Sequence, residues 1–182
     1  MVFFNSLIAD FRDRIFSSSK TSHMTIRTAT INDTERIDVV HKASIASLCS
    51  GCYDDRDIAG WLDILSPDIY ENAIHEKVMI VAESDNEIIG LGILDLASKE
   101  IGAIYVHPKA KGLGFGKQLL WELEARASEN NIDLLTLCST VNAHGFYKHH
   151  GYSGEDTTFH ELPNGVRLKC FRMHKLLNKQ NL

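Results

Sequence analysis

The stretch Tyr105-Val106-His107-Pro108-Lys109-Ala110-Lys111-Gly112-Leu113-Gly114-Phe115-Gly116-Lys117 places three alternate glycines between an apolar run and a long amphipathic segment. Glycines let a backbone come close to an anion, and the first N–H groups of a helix have no intrahelical acceptor. With the positive end of the helix dipole, these features predict a cradle for a phosphate-bearing cofactor. Lys109, Lys111 and Lys117 add positive charge to a chain whose formal net charge is -5. Glycine costs roughly 1 kcal/mol against alanine inside a helix, so a turn without a ligand accounts poorly for three of them. Two nucleotide motifs fail on particular residues. A P-loop would need glycine where Lys111 stands and a hydroxyl residue where Gln118 stands. A dinucleotide fingerprint needs Gly-x-Gly-x-x-Gly near the start of a βαβ unit, but Gly112-x-Gly114-x-Gly116 follows several strand-like segments.

A second block, Asn142-Ala143-His144-Gly145-Phe146-Tyr147-Lys148-His149-His150-Gly151-Tyr152, lies downstream. Together the two blocks resemble the GNAT superfamily of acyl-CoA N-acyltransferases. That family's first motif is Arg or Gln, two residues, Gly, one residue, then Gly or Ala, and Lys111, Gly114 and Gly116 occupy those positions. Lysine keeps the charge of arginine but not its planar fork. The second block is similar to the family's Asn-Ala-x-x-Phe-Tyr-x-x-x-Gly-Phe/Tyr signature, and the resemblance spans roughly residues 24–176. It implies an α/β (α+β mixed) fold: one domain with a central, mostly antiparallel sheet of six to seven strands flanked by helices.

The resemblance also implies a reaction. Acetyl-CoA is the expected co-substrate, and no metal is expected. The loop Lys111, Gly112, Leu113, Gly114, Phe115, Gly116 and Lys117 would hold the pyrophosphate. A backbone N–H near Tyr105 or Val106 would polarise the thioester carbonyl. Asn142 would cap the following helix and contact the pantetheine arm. Tyr147 is the expected general acid, since a phenol with a pKa near 10 can donate a proton without being ionised at rest. Glu100, at the head of the strand before the loop, is the candidate base. At ~3.3 Å per residue it would begin about 10 Å from a thioester beside Ala103 or Ile104, so water would relay the proton. The acceptor would be a primary amine of a small molecule or peptide. Tyr53, Asp54 and Trp61 are candidates for an acidic, aromatic-rimmed mouth that suits a protonated amine. The rival from another class is a non-catalytic acyl-CoA-binding sensor or interaction module.

Hydropathy patterning supplies the elements that must position these residues. Strands are expected at Met24–Thr28, Lys77–Glu83, Glu87–Leu96, Ile101–His107, Ile132–Cys138, Tyr152–His160 and Val166–Met173. Helices are expected from Asn32 or Asp33 to about Leu48, over Asp55–Leu65, from Pro67 to about His75, and over Leu113–Asn130 and Asn142–His150. Ser84-Asp85-Asn86 predicts a hairpin, and Pro108 should stop a strand. Residues 1–23 read as an amphipathic tail and linker, with Phe3, Phe4, Leu7, Ile8, Phe11 and Ile15 at helical spacing, ahead of one domain over 24–182.

Composition bounds the rest. The 182 residues are 44% apolar and 24% charged, which excludes a disordered or disulfide-stapled chain. The acidic balance argues against a nucleic-acid partner, and no run of 18 apolar residues predicts a transmembrane segment. Cys49, Cys52, Cys138 and Cys170 are too sparse for a secreted disulfide framework, so reduced thiols and a cytoplasmic location are expected. Cys49-Ser-Gly-Cys52 has a redox or zinc spacing but lacks a second ligand pair nearby, and packing or loop roles are favoured. A homodimer is left open, as is a partner-binding or in-plane membrane role for the helix read over residues 1–23.

Overall fold

The computed structural model describes residues 24–177; the tail read over 1–23 lies outside them. Strands β1 (Thr25–Thr28), β2 (Val78–Ser84), β3 (Glu87–Asp95), β4 (Glu100–Val106), β5 (Leu134–Thr140), β6 (Ser153–Glu161) and β7 (Arg167–Leu176) form one sheet. Its order is β1-β2-β3-β4-β5-β7-β6, and only β4 and β5 run parallel. Helices α1 (Thr34–Ser44), α2 (Asp55–Asp63), α3 (Pro67–Glu76), α4 (Phe115–Glu129) and α5 (His144–His149) flank it. The expected fold class and strand number are those observed.

Local sequence explains several boundaries. Asp85 and Asn86, at φ 52° and 65°, make the tight turn between β2 and β3. These residue types tolerate the left-handed region, and the turn's twist suits a hairpin. Pro67 occupies the first turn of α3, where a missing N–H costs nothing. Asp54 caps α2 by accepting from the Asp57 N–H at 2.8 Å.

Two faces bury different helices. Leu119, Leu120 and Leu123 of α4 are fully buried against one face with Ile80, Leu94 and Leu137. The approach is close: a Cβ at Gly90 would lie 2.9 Å from Leu119 Cδ1, so glycine in β3 sets the distance between helix and sheet. On the other face α1 and α3 bury Ile37, Val40 and Tyr70 against Met79, Val81 and Leu91. A third cluster joins Tyr53, Trp61 and Leu65 around α2 to Leu162 and Leu168 near β7.

The feature that creates the site is a bulge in β4. Leu94 pairs with Ile101 but Ile93 pairs with Ala103, so Gly102 is an extra residue. Bulges bend a strand and increase its local twist. Parallel pairing with β5 covers only Glu100↔Thr136 and Ile101↔Leu137, after which the two strands part.

Some expected boundaries shift for physical reasons. Helix α1 ends at Ser44 and continues as a π-type turn over Ile45–Cys49. Strand β5 begins at Leu134 rather than Ile132, because the Ile132 N–H still bonds the Ala127 carbonyl at the end of α4. The Asn142–His150 helix is a 3-10 turn, Val141–Ala143, followed by the short α5.

Candidate active site

Where β4 and β5 part, a cavity of about 370 Å³ opens, lined from four directions. The strand wall is Ile104, Tyr105 and Val106; the loop wall is Lys111, Gly112 and Gly114 through Lys117. Thr140, Asn142, Phe146 and Tyr147 come from β5 and the segment after it, and Ser44, Leu48 and Cys49 from the end of α1. The cavity thus collects Tyr147, Asn142 and most of the predicted cofactor loop. Leu113 is the exception: it is 45% exposed and not in the wall.

The loop's geometry is that of an anion cradle. Gly112 and Gly114 have φ of 80° and 90°, in the left-handed region, and Gly114 is the N-cap of α4 without a side-chain cap bond. The first helical hydrogen bond runs from the Gln118 N–H to the Gly114 carbonyl at 3.2 Å. The amides of Phe115, Gly116 and Lys117 therefore precede any intrahelical acceptor and face the same end of the helix. Lys111 and Lys117 line the cavity, and among the described residues no aspartate, glutamate or histidine does. The Lys117 ammonium sits 4.1 Å from the Trp121 ring centroid.

Hydrogen-bond parity assigns the backbone donors of β4. The His107 N–H bonds the Ile89 carbonyl at 2.8 Å. Alternation then turns Tyr105 toward Leu91 of β3, and turns Ile104 and Val106 toward the gap beside β5. Val106 carries the donor facing the cavity, and Tyr105 does not. The Tyr105 ring packs on His41, with centroids 3.9 Å apart, and edge-on to Trp61 at 6.3 Å. Burial pushes His41 down to about 3 and the Tyr105 phenol well above its ordinary 10.

Tyr147 is buried, edge-on to Phe146 at 5.1 Å and Tyr152 at 5.6 Å. Its hydroxyl makes no hydrogen bond to another described residue. Burial alone holds its phenol well above 10, so it is protonated at neutral pH. The ring of Phe146 packs beneath Gly116, where a Cβ would lie 3.7 Å from it. The Lys148-His149-His150 run is partly used structurally: Lys148 pairs with Glu155 at 2.7 Å, and His150 Nδ1 bonds the Phe146 carbonyl at 2.8 Å.

Several expectations are corrected. Asn142 does not cap α5; it sits inside the 3-10 turn, in the cavity wall that Cys49 also lines. Glu100 lies at the paired end of β4, opposite Asp95 and Thr136, and outside the cavity. Tyr53 and Trp61 are core residues, 8% and 6% exposed, and Asp54 is occupied as the α2 cap. None of the three lines the cavity. The Tyr53 hydroxyl donates to the Lys169 carbonyl at 2.7 Å and accepts from the Val141 N–H at 3.1 Å.

Cys49 is the main residue that sequence reasoning missed at this wall. It is buried, as a packing cysteine should be, but it also faces the cavity. Burial pushes its thiol up to about 11, so it is not a thiolate at neutral pH. Ser44 and Leu48 are one helical turn apart, and only the long-range placement of α1 beside β4 brings them here. Among the described residues no group of three or more His, Cys, Asp or Glu could hold a metal ion. None of their helices is long and apolar enough to cross a membrane.

Comparison with known proteins agrees with this geometry. No curated protein matches significantly. Among solved structures, a GCN5-related N-acetyltransferase from Rhodopseudomonas palustris superposes with a TM-score of 0.78 at 22% identity, covering 88% of this chain and 100% of its own. The PaiA N-acetyltransferase from Thermoplasma acidophilum, solved with coenzyme A, gives 0.72 at 25% identity over 85% of this chain and 99% of its own. YncA from Salmonella typhimurium, solved with acetyl-CoA, gives 0.61 at 21% over 87% and 96%. The model of the acetyltransferase (GNAT) domain matches residues 49–175, well over half of the chain. The strands that part at Gly102, the glycine turn and Tyr147 thus belong to a protein of the GNAT acetyltransferase family.

Proposed function

We propose that the protein transfers an acetyl group from acetyl-CoA to the primary amine of a small molecule or peptide by direct attack, with Tyr147 as general acid. The observation that carries this reading is one cavity holding the open amides of the glycine turn, the inward donor of Val106 and the protonated phenol of Tyr147. Both PaiA, with coenzyme A, and YncA, with acetyl-CoA, bind this class of ligand. The amides of Gly112 and of Gly114 to Lys117, with Lys111, would hold the pyrophosphate by charge-assisted hydrogen bonds, the Leu113 N–H being already donated to the Ala110 carbonyl.

A neutral amine nitrogen attacks the thioester carbonyl carbon, and the Val106 N–H donates to the oxygen on which charge develops. The C–S bond breaks, and the Tyr147 hydroxyl gives its proton to the departing sulfur. The proton lost by nitrogen goes to water, from which Tyr147 is reprotonated. Among the described residues no carboxylate lines the cavity to take it.

Thiol release from acetyl-CoA across an amine panel, with products identified by mass spectrometry, tests this function. The reading requires acetylated amine in at least one case, and coenzyme binding with no amide product would defeat it. The pH profile tests the mechanism. His41 stays neutral down to about 3, and Tyr147 keeps its proton beyond pH 10. The logarithm of kcat/KM should therefore climb by about one per pH unit toward the pKa of the amine, without an inflection between pH 4 and 7. A plateau set by a group titrating in that window would identify an enzymic base, with Glu100 first in line.

A further inference from the structure

Tyr53 does something that neither its expected role in substrate binding nor core packing explains. The ladder between β5 and β7 follows a fixed parity. The Leu177 N–H bonds the Asp133 carbonyl at 2.8 Å, and register pairs run from Leu134↔Leu176 to Thr140↔Cys170. Hydrogen-bonded pairs recur every second residue, so the next rung after Ser139↔Phe171 belongs to Val141 and Lys169. That rung should be the Val141 N–H donating to the Lys169 carbonyl. Instead the Tyr53 hydroxyl occupies the space between them, accepting from the first and donating to the second. The ladder stops there, and the chain turns into the 3-10 segment Val141–Ala143 that leads to α5 and Tyr147.

The wedge sits beside the cavity. Val141 is flanked by Thr140 and Asn142, both in the cavity wall. Tyr53 itself follows Leu48 and Cys49, which form the opposing wall, and its ring is held edge-on to Trp61 at 5.8 Å. One hydroxyl thus ties the α1 side of the site to the end of β5. Without it, a direct rung would draw Val141 N and Lys169 O to about 2.9 Å and shift the turn that carries Asn142 and Tyr147.

We propose that Tyr53 is a positioning residue for acyl transfer: its hydroxyl, inserted into the β5–β7 ladder, sets the placement of Asn142 and Tyr147 relative to the cofactor loop. The proposal uses the acetyl-transfer reading for its kinetic arm only. The test is Tyr53→Phe, which keeps the ring and its packing but removes both hydrogen bonds. Leu65→Val is the control, loosening the same apolar cluster without removing a hydroxyl. Tyr53→Phe should lower kcat about tenfold and leave the coenzyme A Kd within threefold, because the glycine turn is untouched. Amide hydrogen exchange should accelerate at least tenfold from Val141 through Tyr147, while Leu65→Val leaves kcat and this exchange near wild type. An unchanged kcat in Tyr53→Phe would overturn the proposal, as would equal losses of kcat in both variants. If the wild type acetylates no amine, the acetyl-transfer reading falls and exchange alone decides: faster exchange across Val141–Tyr147 upholds the positioning role, and unchanged exchange refutes it.

Discussion

Tyr147→Phe should lower kcat about a hundredfold while leaving the affinity for acetyl-CoA within threefold of wild type. Loss of a general acid removes an interaction made only as the C–S bond breaks, and such losses span about 10²–10⁴ in rate. The phenol is well suited to donate, because burial keeps it protonated far into alkaline pH. The substitution is also clean. The ring contacts with Phe146 and Tyr152 survive, and the hydroxyl bonds no other described residue, so folding loses little. Steady-state kinetics with the best amine of the panel, alongside calorimetric binding of coenzyme A, reads both quantities. A kcat within twofold of wild type would remove Tyr147 from the chemistry.

Gly114→Val should weaken coenzyme A binding at least tenfold and leave kcat at saturating coenzyme within threefold. Gly114 is the N-cap of α4 at φ 90°, a conformation that costs an L-residue roughly 1–2 kcal/mol and a β-branched one more. A Cβ at that position meets nothing within 4 Å, so the penalty is conformational rather than a clash. The loop then either keeps its shape under strain or relaxes and turns the amides of Phe115, Gly116 and Lys117 off their common direction. Both outcomes reduce affinity for the pyrophosphate and leave Tyr147 in place. Equal affinity in the variant would mean that the glycine turn is not where the diphosphate binds.

The parts of the site that were legible in the sequence are those encoded locally. Alternate glycines before a helix state their own geometry, and Phe146 with Tyr147 follows within one short block. The Asp85-Asn86 turn was equally plain, since its left-handed backbone needs those residue types. Long-range features were not legible. Gly102 looks like any strand residue, yet as a bulge it ends the pairing of β4 with β5 and opens the cavity. Leu48 and Cys49 reach the wall only because α1 lies beside β4, which no short-range pattern shows. The burial of Tyr53 and Trp61 was not legible for a related reason: it depends on contacts with Leu162 and Leu168, about a hundred residues away. An acidic, aromatic stretch resembles a binding mouth until the fold shows that its rings are covered and Asp54 is capping a helix. Glu100 sits at the paired end of β4, outside the cavity, because a strand separates residues along its axis however close their numbers, and only the expected water relay would connect it with the thioester.

A crystal structure of the protein with acetyl-CoA bears most directly on how this enzyme holds its donor. Pyrophosphate oxygens are expected within about 3.2 Å of amides between Gly112 and Lys117, with the pantetheine between β4 and β5 and the thioester carbonyl facing the Val106 N–H. Finding the diphosphate at any other surface, or the gap beyond Ile101 closed with the coenzyme bound elsewhere, would contradict this placement.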